Sequence, residues 1–146
     1  MESGAILLYL ADLAGGRLVG GPPTAGNVRR ARITQWLMWQ MGGVGPMFGQ
    51  LNFFERLPPE TDGRSYGIGR YGAEGERLLG VLDSALAGRE WLADEEMSVA
   101  DIAVYPWVVS WMTKHRSAPD AHPHVRAWAS RMGAREGVQR GMAVYG

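Results

Sequence analysis

The chain has 146 residues and a mass of 16.0 kDa, about the length of one domain. Hydrophobic residues make up 46% and charged residues 21%, which is typical of a soluble globular domain and excludes a disordered tail. Fifteen basic and fifteen acidic side chains cancel, which argues against nucleic-acid binding or polybasic attachment to a membrane. The absence of cysteine excludes disulfides, thiolate zinc sites and a cysteine nucleophile. No apolar stretch reaches membrane-spanning length, and the lack of cysteine leads us to expect a cytoplasmic protein.

The first predicted element is a short amphipathic helix over residues 4–13, whose apolar residues share one stripe. A pair of glycines directly after it stops the helix. The Gly/Pro-rich stretch 20–24 cannot continue a helix and is predicted to be a linker. The stripe consists of Ile6, Leu10 and Leu13, and the glycines are Gly15 and Gly16.

A long helical pattern begins near Asn27 and meets the glycine-rich run 42–46 before it resumes. Glycine loosens the backbone there, and Pro46 denies a hydrogen bond to the preceding turn. We therefore expect either a kinked helix or two stacked helices. A break beside Met41 and Phe48 favours an apolar crevice at residues 42–49.

Two further helices are predicted to form the core, the first over residues 68–87 with a single apolar face. The second begins at a capping box, in which Ser98 caps the amide three residues on and Asp101 reaches back to the Ser98 amide. It is apolar nearly all round, which is typical of a helix at the centre of a bundle. Shorter helical patterns cover 123–132 and 135–142, and strand signals are almost absent. The predicted fold class is all-α, with five or six helices around one buried central helix.

Three groups of polar residues each allow two interpretations. His122 and His124 could ligate a metal, but a turn at a helix start is favoured because no acidic or histidine cluster completes the site. The arginines at 29, 30 and 32 form either a solvated face or a contact to an acidic partner surface. Arg70 either pairs with Glu74 four residues on, or points its guanidinium at a ligand carboxylate.

Several segments carry a resemblance to a known family. Residues 98–107 resemble the capping-box helix in the C-terminal domain of cytosolic glutathione transferases. Residues 35–50 resemble the nu-class, disulfide-reductase-like bacterial branch, which is related to a yeast prion-forming nitrogen regulator. Residues 68–83, 123–128 and 138–141 continue the match in the right order, so that the similarity covers nearly the whole chain.

The resemblance implies a division of the chain into domains and a truncation. Residues 27–146 are expected to form the all-α C-terminal domain, preceded by a linker at 17–26. Residues 1–16 resemble the last helix of the family's thioredoxin-like N-terminal domain, whose strands, cis-proline and thiol-activating residue lie upstream. The chain therefore resembles a truncated member of the family, and its catalytic residue is left unknown.

The resemblance also implies a glutathione site. In the family a Glu-Ser pair binds the γ-glutamyl end of glutathione, and here Glu2 and Ser3 match it. A carboxylate, a hydroxyl and free amides at a helix start suit an amino-acid zwitterion. Arg70 resembles a contact to a carboxylate of glutathione or its disulfide. The expected substrate-binding residues are Glu2, Ser3, Arg70, Met41, Phe48 and Trp107.

The implied parent activity is glutathione conjugation or glutathione-dependent disulfide exchange, with glutathione as co-substrate and no metal. The second substrate is expected to be a small electrophile or a disulfide. The truncated chain alone is expected to show little or no turnover. A homodimer through the 27–41 helix is expected, with neither nucleic acid nor membrane as a partner. Two alternatives remain: a non-catalytic helical binding or dimerisation module, and an apolar-ligand carrier that uses the crevice.

Overall fold

A computed structural model of the chain describes residues 2–115, apart from the side chain of residue 115, and residues 121–144. These residues form α-helices and no strand, which confirms the predicted all-α class. A 3-10 turn at Arg17–Val19 and a π-helical turn at Gln40–Val44 stand between helices. The α-helices are α1 (Ser3–Leu13), α2 (Val28–Trp39), α3 (Gly45–Arg56), α4 (Arg64–Leu86), α5 (Val99–His115), α6 (Pro123–Gly133) and α7 (Glu136–Ala143).

Helix α5 lies at the centre, in contact with α1, α2, α3 and α6. One apolar cluster joins side chains of α3, α4, α5 and α6, and includes the fully buried Trp128. A second, smaller cluster joins α1 and α2 to the start of α5. Burying each large apolar side chain stabilises the fold by roughly 1.5–3 kcal/mol. The predicted face of α4 is confirmed, since four of its leucines are at most 2% exposed: Leu78, Leu79, Leu82 and Leu86.

The start of α5 is fixed by a buried carboxylate. Asp101 Oδ2 accepts the Ser98 amide N–H at 2.9 Å, which confirms the predicted back-bond of the capping box. Ser98 Oγ, however, accepts from the amide of Ala100, two residues on, at 3.3 Å instead of from the third. The second carboxylate oxygen, Oδ1, accepts from Leu92 N at 3.0 Å and from Trp128 Nε1 at 2.9 Å. Asp101 therefore ties the preceding loop and α6 to the central helix.

The predicted kink between α2 and α3 is a π-helical turn. The amide of Gly45 donates to the carbonyl of Gln40, five residues earlier, so that the backbone widens by one residue without leaving the helix. Pro46 then falls in the first turn of α3 and has no N–H to donate to the π-helical turn before it. The two helices therefore follow one another with no loop between them.

The structure buries a different face of α1 from the one that was predicted. Its interior face is made by Gly4 and Ala11, because small residues allow a close approach. A Cβ at Gly4 would lie only 3.1 Å from Met41 Cγ. The helix is apolar on nearly every side, so that its stripe pattern could not identify the buried face. The predicted stripe is instead exposed, at 39% for Ile6, 53% for Leu10 and 67% for Leu13.

Parts of the predicted linker, residues 17–26, contact the helices on either side of it. Val19 in the 3-10 turn is fully buried in the second cluster. Arg30 crosses back over this stretch, with hydrogen bonds to both Asp12 carboxylate oxygens at 2.7 and 2.9 Å and to the Gly21 carbonyl at 2.8 Å. Arg29 pairs with acidic residues of the segment before α5, Asp94 and Glu96. Arg29 and Arg32 are exposed, as the solvated-face interpretation expects, whereas Arg30 is half-buried; Arg29 and Arg30 also form ion pairs within the chain.

Candidate functional site

A cleft of about 330 Å³ opens where three parts of the fold meet. The first turns of α1 form one side, the π-helical turn forms the floor, and the middle of α5 forms the other side. Its volume lies near the lower end of the roughly 300–1,000 Å³ found for small-molecule sites. The lining residues are Ser3, Ile6, Leu7, Gln40, Ile102, Ala103, Pro106 and Trp107.

The N-terminus of α1 places at this cleft backbone donors that make no hydrogen bond to a described residue. Glu2 is the N-cap residue in extended conformation, and its side chain makes no capping hydrogen bond. The bond from Ile6 N to the Glu2 carbonyl spans the first turn, so the amides of Ser3, Gly4 and Ala5 precede it. These amides and the helix dipole create a positive end that favours an anionic group. Ser3 is exposed beside them.

Two of the predicted site residues lie close to Ser3 or the cleft. Met41 contacts α1 directly, with its Sδ 3.6 Å from Ser3 Oγ. Trp107 lines the cleft from α5 and is half-buried. Glu2 is exposed and adjoins Ser3 in the chain. The cleft lies beside Gln40, and none of residues 42–49, where a crevice is predicted, lines it.

Phe48 does not reach this cleft. Its side chain is 2% exposed and packs in the main core, with its ring centroid 4.4 Å from that of Trp111. The apolar pattern around the predicted kink indicated a crevice wall. Because the π-helical turn rotates α3 relative to a simple break, Phe48 belongs to the packed interior instead.

Arg70 lies on α4, exposed and outside the lining of the cleft. Arg70 makes no hydrogen bond to Glu74, which instead accepts two hydrogen bonds from Arg77 at 2.7 and 2.8 Å. These bonds lower the pKa of the Glu74 carboxyl, and the nearby charge of Arg70 lowers it further. The Arg70 guanidinium lies 5.9 Å from the Tyr71 ring centroid and forms no ion pair with the described residues. It is available to a carboxylate from solution.

Gln40 is the site residue that sequence analysis missed. Its side chain lines the cleft although the residue is only 5% exposed. No described residue makes a hydrogen bond to its carboxamide. The signal in the sequence is a polar residue within an apolar helical pattern that includes Ile33 and Leu37, and such a pattern by itself predicts only packing.

A larger apolar groove of about 990 Å³ separates α5 from α7. Charged side chains line it only at Arg135 and Glu136 within the part of the chain that the structure describes. None of the residues of α7 is buried. The groove exists because α7 is not packed closely against α5. Helical periodicity does not specify the distance between two helices. Its other lining residues are Met97, Ile102, Tyr105, Pro106, Met132, Gly137, Val138, Gly141 and Met142.

His122 lies in a turn at the start of α6, in agreement with the favoured interpretation. His122 is the N-cap residue with a left-handed φ of 57°, and Pro123 begins the helix. Its Nε2 lies 3.1 Å from Glu76 Oε2. Over residues 2–114 and 121–144, no three metal-ligating side chains come together. In the same residues no helix has the length and hydrophobicity needed to cross a membrane.

Comparison with known proteins gives these features a context. The family model for the glutathione S-transferase C-terminal domain matches residues 73–136. The disulfide-bond oxidoreductase YfcG of Escherichia coli is 43% identical over 134 residues, covering 92% of this chain and 59% of that protein. The glutathione S-transferase-like protein tpcF of Aspergillus fumigatus is 36% identical, covering 97% of this chain and 67% of that protein.

Solved structures agree with the sequence relatives. A crystal structure of a glutathione transferase from Pseudomonas putida, with one glutathione disulfide bound per subunit, superposes with a TM-score of 0.84. It is 41% identical, and the match covers 100% of this chain and 63% of that one. The chain thus spans less than two thirds of the length of YfcG and of this transferase. Sequence identity and fold together show that the chain belongs to the glutathione transferase family.

Proposed function

We propose that the chain binds glutathione or glutathione disulfide in the cleft at the start of α1. The parent activity is glutathione conjugation or glutathione-dependent disulfide exchange. The observation that carries the proposal is the meeting of free helix-start amides, the Ser3 hydroxyl and the Gln40 carboxamide at one cleft. The P. putida relative holds glutathione disulfide, and a Pseudomonas fluorescens relative 41% identical to this chain holds two glutathione molecules.

The chemistry of the cleft matches the γ-glutamyl end of glutathione, which carries a carboxylate and an ammonium. The carboxylate accepts hydrogen bonds from the first amides of α1 and from Ser3 Oγ. The ammonium pairs with the exposed Glu2 carboxylate. A further carboxylate of the ligand pairs with the free Arg70 guanidinium.

Turnover needs more than this binding. The thiol of glutathione has an ordinary pKa of about 8.5, so that a hydrogen-bond donor must stabilise the thiolate at neutral pH. Ser3, the hydroxyl of the cleft, is assigned to the ligand carboxylate. We therefore propose that residues 1–146 bind the ligand but turn it over poorly. Ordinary conjugation of a chromogenic electrophile by this chain would contradict that.

The domain division, partners and location belong to the same proposal. Residues 1–16 correspond to the end of a thioredoxin-like domain, 17–26 to the connection and 27–146 to the helical domain. The second substrate is a small electrophile or disulfide, and the protein is cytoplasmic. A homodimer forms through the 27–41 helix, where Val28 is 59% and Met38 46% exposed. Sedimentation of the chain as a monomer at micromolar concentration would contradict the dimer.

Calorimetric titration with glutathione disulfide tests the binding site. The unmodified chain is expected to bind, and Ser3→Ala is expected to weaken affinity because a hydroxyl donor to a carboxylate is lost. Ser130→Ala is the matched control, since Ser130 is exposed on α6. Absence of binding by the unmodified chain would overturn the proposed function. Equal affinities of the two variants would overturn the role of Ser3.

The groove between α5 and α7 supports a second candidate, a carrier of apolar molecules. Its volume of about 990 Å³ and its lining by methionine, tyrosine and valine suit such a ligand. Fluorescence of a hydrophobic dye tests this candidate. Saturable enhancement that Met142→Lys abolishes and glutathione disulfide does not displace would support it, since Met142 lines the groove and is exposed. No saturable enhancement would reject it.

A further inference from the structure

The Gln40 carboxamide is an unusual group in this fold. The residue is 5% exposed, and no described residue donates to its oxygen or accepts from its nitrogen. Among the described residues, only the side-chain Nε of Arg131 is both enclosed and unpaired, so the Gln40 carboxamide atoms are reachable from the cleft that the residue lines. The other residues that line the cleft are apolar, apart from Ser3 and the indole N–H of Trp107. The carboxamide is therefore placed to hydrogen-bond to a ligand that enters the cleft.

The local backbone holds this carboxamide at the floor of the cleft. Gln40 is the first residue of the π-helical turn, and such turns occur frequently at functional sites. A Cβ at Gly45 would lie 2.9 Å from Gln40 Nε2 and 3.6 Å from Trp107 Cε2. The glycine thus leaves room for the carboxamide beside α5. The side chain lines the same cleft as Ser3 and Trp107.

We propose that Gln40 binds a peptide amide of the ligand and selects for a peptide-like molecule in this cleft. The inference rests on the proposed function and adds a specificity-determining residue to it. A carboxamide presents one acceptor and two donors, which complement the N–H and C=O of a peptide group. Glutathione contains such groups, whereas an apolar electrophile would displace water from the carboxamide without replacing its hydrogen bonds.

Gln40→Met is the variant that separates binding from structure, because it keeps the side-chain length and removes the polar atoms. It is expected to leave the urea midpoint of the free chain unchanged or raised. It is also expected to weaken glutathione disulfide binding in calorimetry by on the order of tenfold, as for a lost hydrogen bond of a neutral group. Gln50→Met is the matched control, since Gln50 is exposed on α3.

The outcomes separate the two proposals. If the unmodified chain and Gln40→Met bind glutathione disulfide equally, the inference is overturned and the proposed function stands. If the unmodified chain does not bind, the proposed function and the inference fall together. A lowered urea midpoint for Gln40→Met would show that the carboxamide has a structural partner, such as a buried water, and would also overturn the inference.

A measurement on the unmodified chain makes the test independent of how the variant folds. The side-chain NH₂ group of Gln40 gives a pair of signals in a ¹⁵N–¹H spectrum, assigned by their loss in Gln40→Met or by selective labelling. These signals are expected to shift on titration with glutathione disulfide. They are expected to stay in place on titration with a hydrophobic dye. No shift at saturating glutathione disulfide would overturn the inference.

Discussion

The indole Nε1 of Trp128 donates a 2.9 Å hydrogen bond to Oδ1 of Asp101, joining α6 to the first turn of α5. Both residues are fully buried. The same carboxylate also accepts from Leu92 N and from both the amide and the hydroxyl of Ser98. A buried charge is tolerable only when its hydrogen bonds are made, as they are here. The start of the central helix, the loop before it and α6 therefore depend on one side chain.

Asp101→Ala is expected to destabilise the chain by at least about 3 kcal/mol. It leaves three buried N–H groups without an acceptor, and each costs roughly 1–3 kcal/mol. Urea unfolding followed by circular dichroism measures the loss. Asp83→Ala is the matched control, because Asp83 accepts one α6 amide, that of Val125 at 2.9 Å, and should cost about 1–2 kcal/mol. Similar losses in the two variants would contradict the central role of Asp101.

Gly75→Ala is expected to destabilise the contact between α4 and α5. A Cβ at this position would lie 2.0 Å from Trp111 Cη2, so the buried indole must shift at a cost of about 1–3 kcal/mol. At Gly80, on the same helix, a Cβ would meet nothing within 4 Å. Gly80→Ala should therefore stabilise the helix by up to about 1 kcal/mol. Thermal unfolding distinguishes the pair, and stabilisation by both substitutions would refute the close packing.

Asp12→Asn is expected to lower stability in a way that depends on pH. The hydrogen bonds and charge of Arg30 hold the pKa of the Asp12 carboxyl below its ordinary value. A lowered pKa in the folded state stabilises the fold above the unfolded-state pKa of about 3.9, and this contribution is lost as pH falls through the folded-state pKa. The variant should therefore have a lower urea midpoint than the parent at pH 7 and a smaller deficit at pH 3. A deficit that does not change with pH would argue against the ion pair.

Arg70→Ala is expected to weaken binding of glutathione disulfide, by about 1.5–3 kcal/mol if the guanidinium donates to a ligand carboxylate. Because Arg70 is exposed and unpaired among the described residues, the fold itself should be unaffected. Calorimetry of the variant measures the change, with Arg89→Ala as the control at another exposed arginine. An unchanged affinity for Arg70→Ala would remove this residue from the site.

Periodicity and helix-start chemistry predicted the helices well. The leucine face of α4 and the back-bond of Asp101 follow from local spacing, because side chains three or four residues apart share a helix face. Local spacing could not identify the buried side of α1, which is apolar nearly all round. There the close approach of Gly4 to Met41 decides the packing, and that contact spans 37 residues of sequence.

The candidate site was only partly predictable for a related reason. The resemblance to a family pointed to Glu2 and Ser3, and the cleft forms beside them. Phe48 lies in the core and Gln40 lines the cleft, because a π-helical turn, instead of a simple kink, sets which residues face the cleft. The one residue added in that turn rotates the side chains that follow it, and helical periodicity does not specify the addition.

A crystal structure of the chain with glutathione disulfide tests the account most directly. The predicted result is a γ-glutamyl carboxylate within hydrogen-bond distance of the Ser3 and Gly4 amides, with a peptide group of the ligand against the Gln40 carboxamide. Ligand bound only in the groove between α5 and α7, or a cleft left unoccupied at saturating ligand, would contradict it.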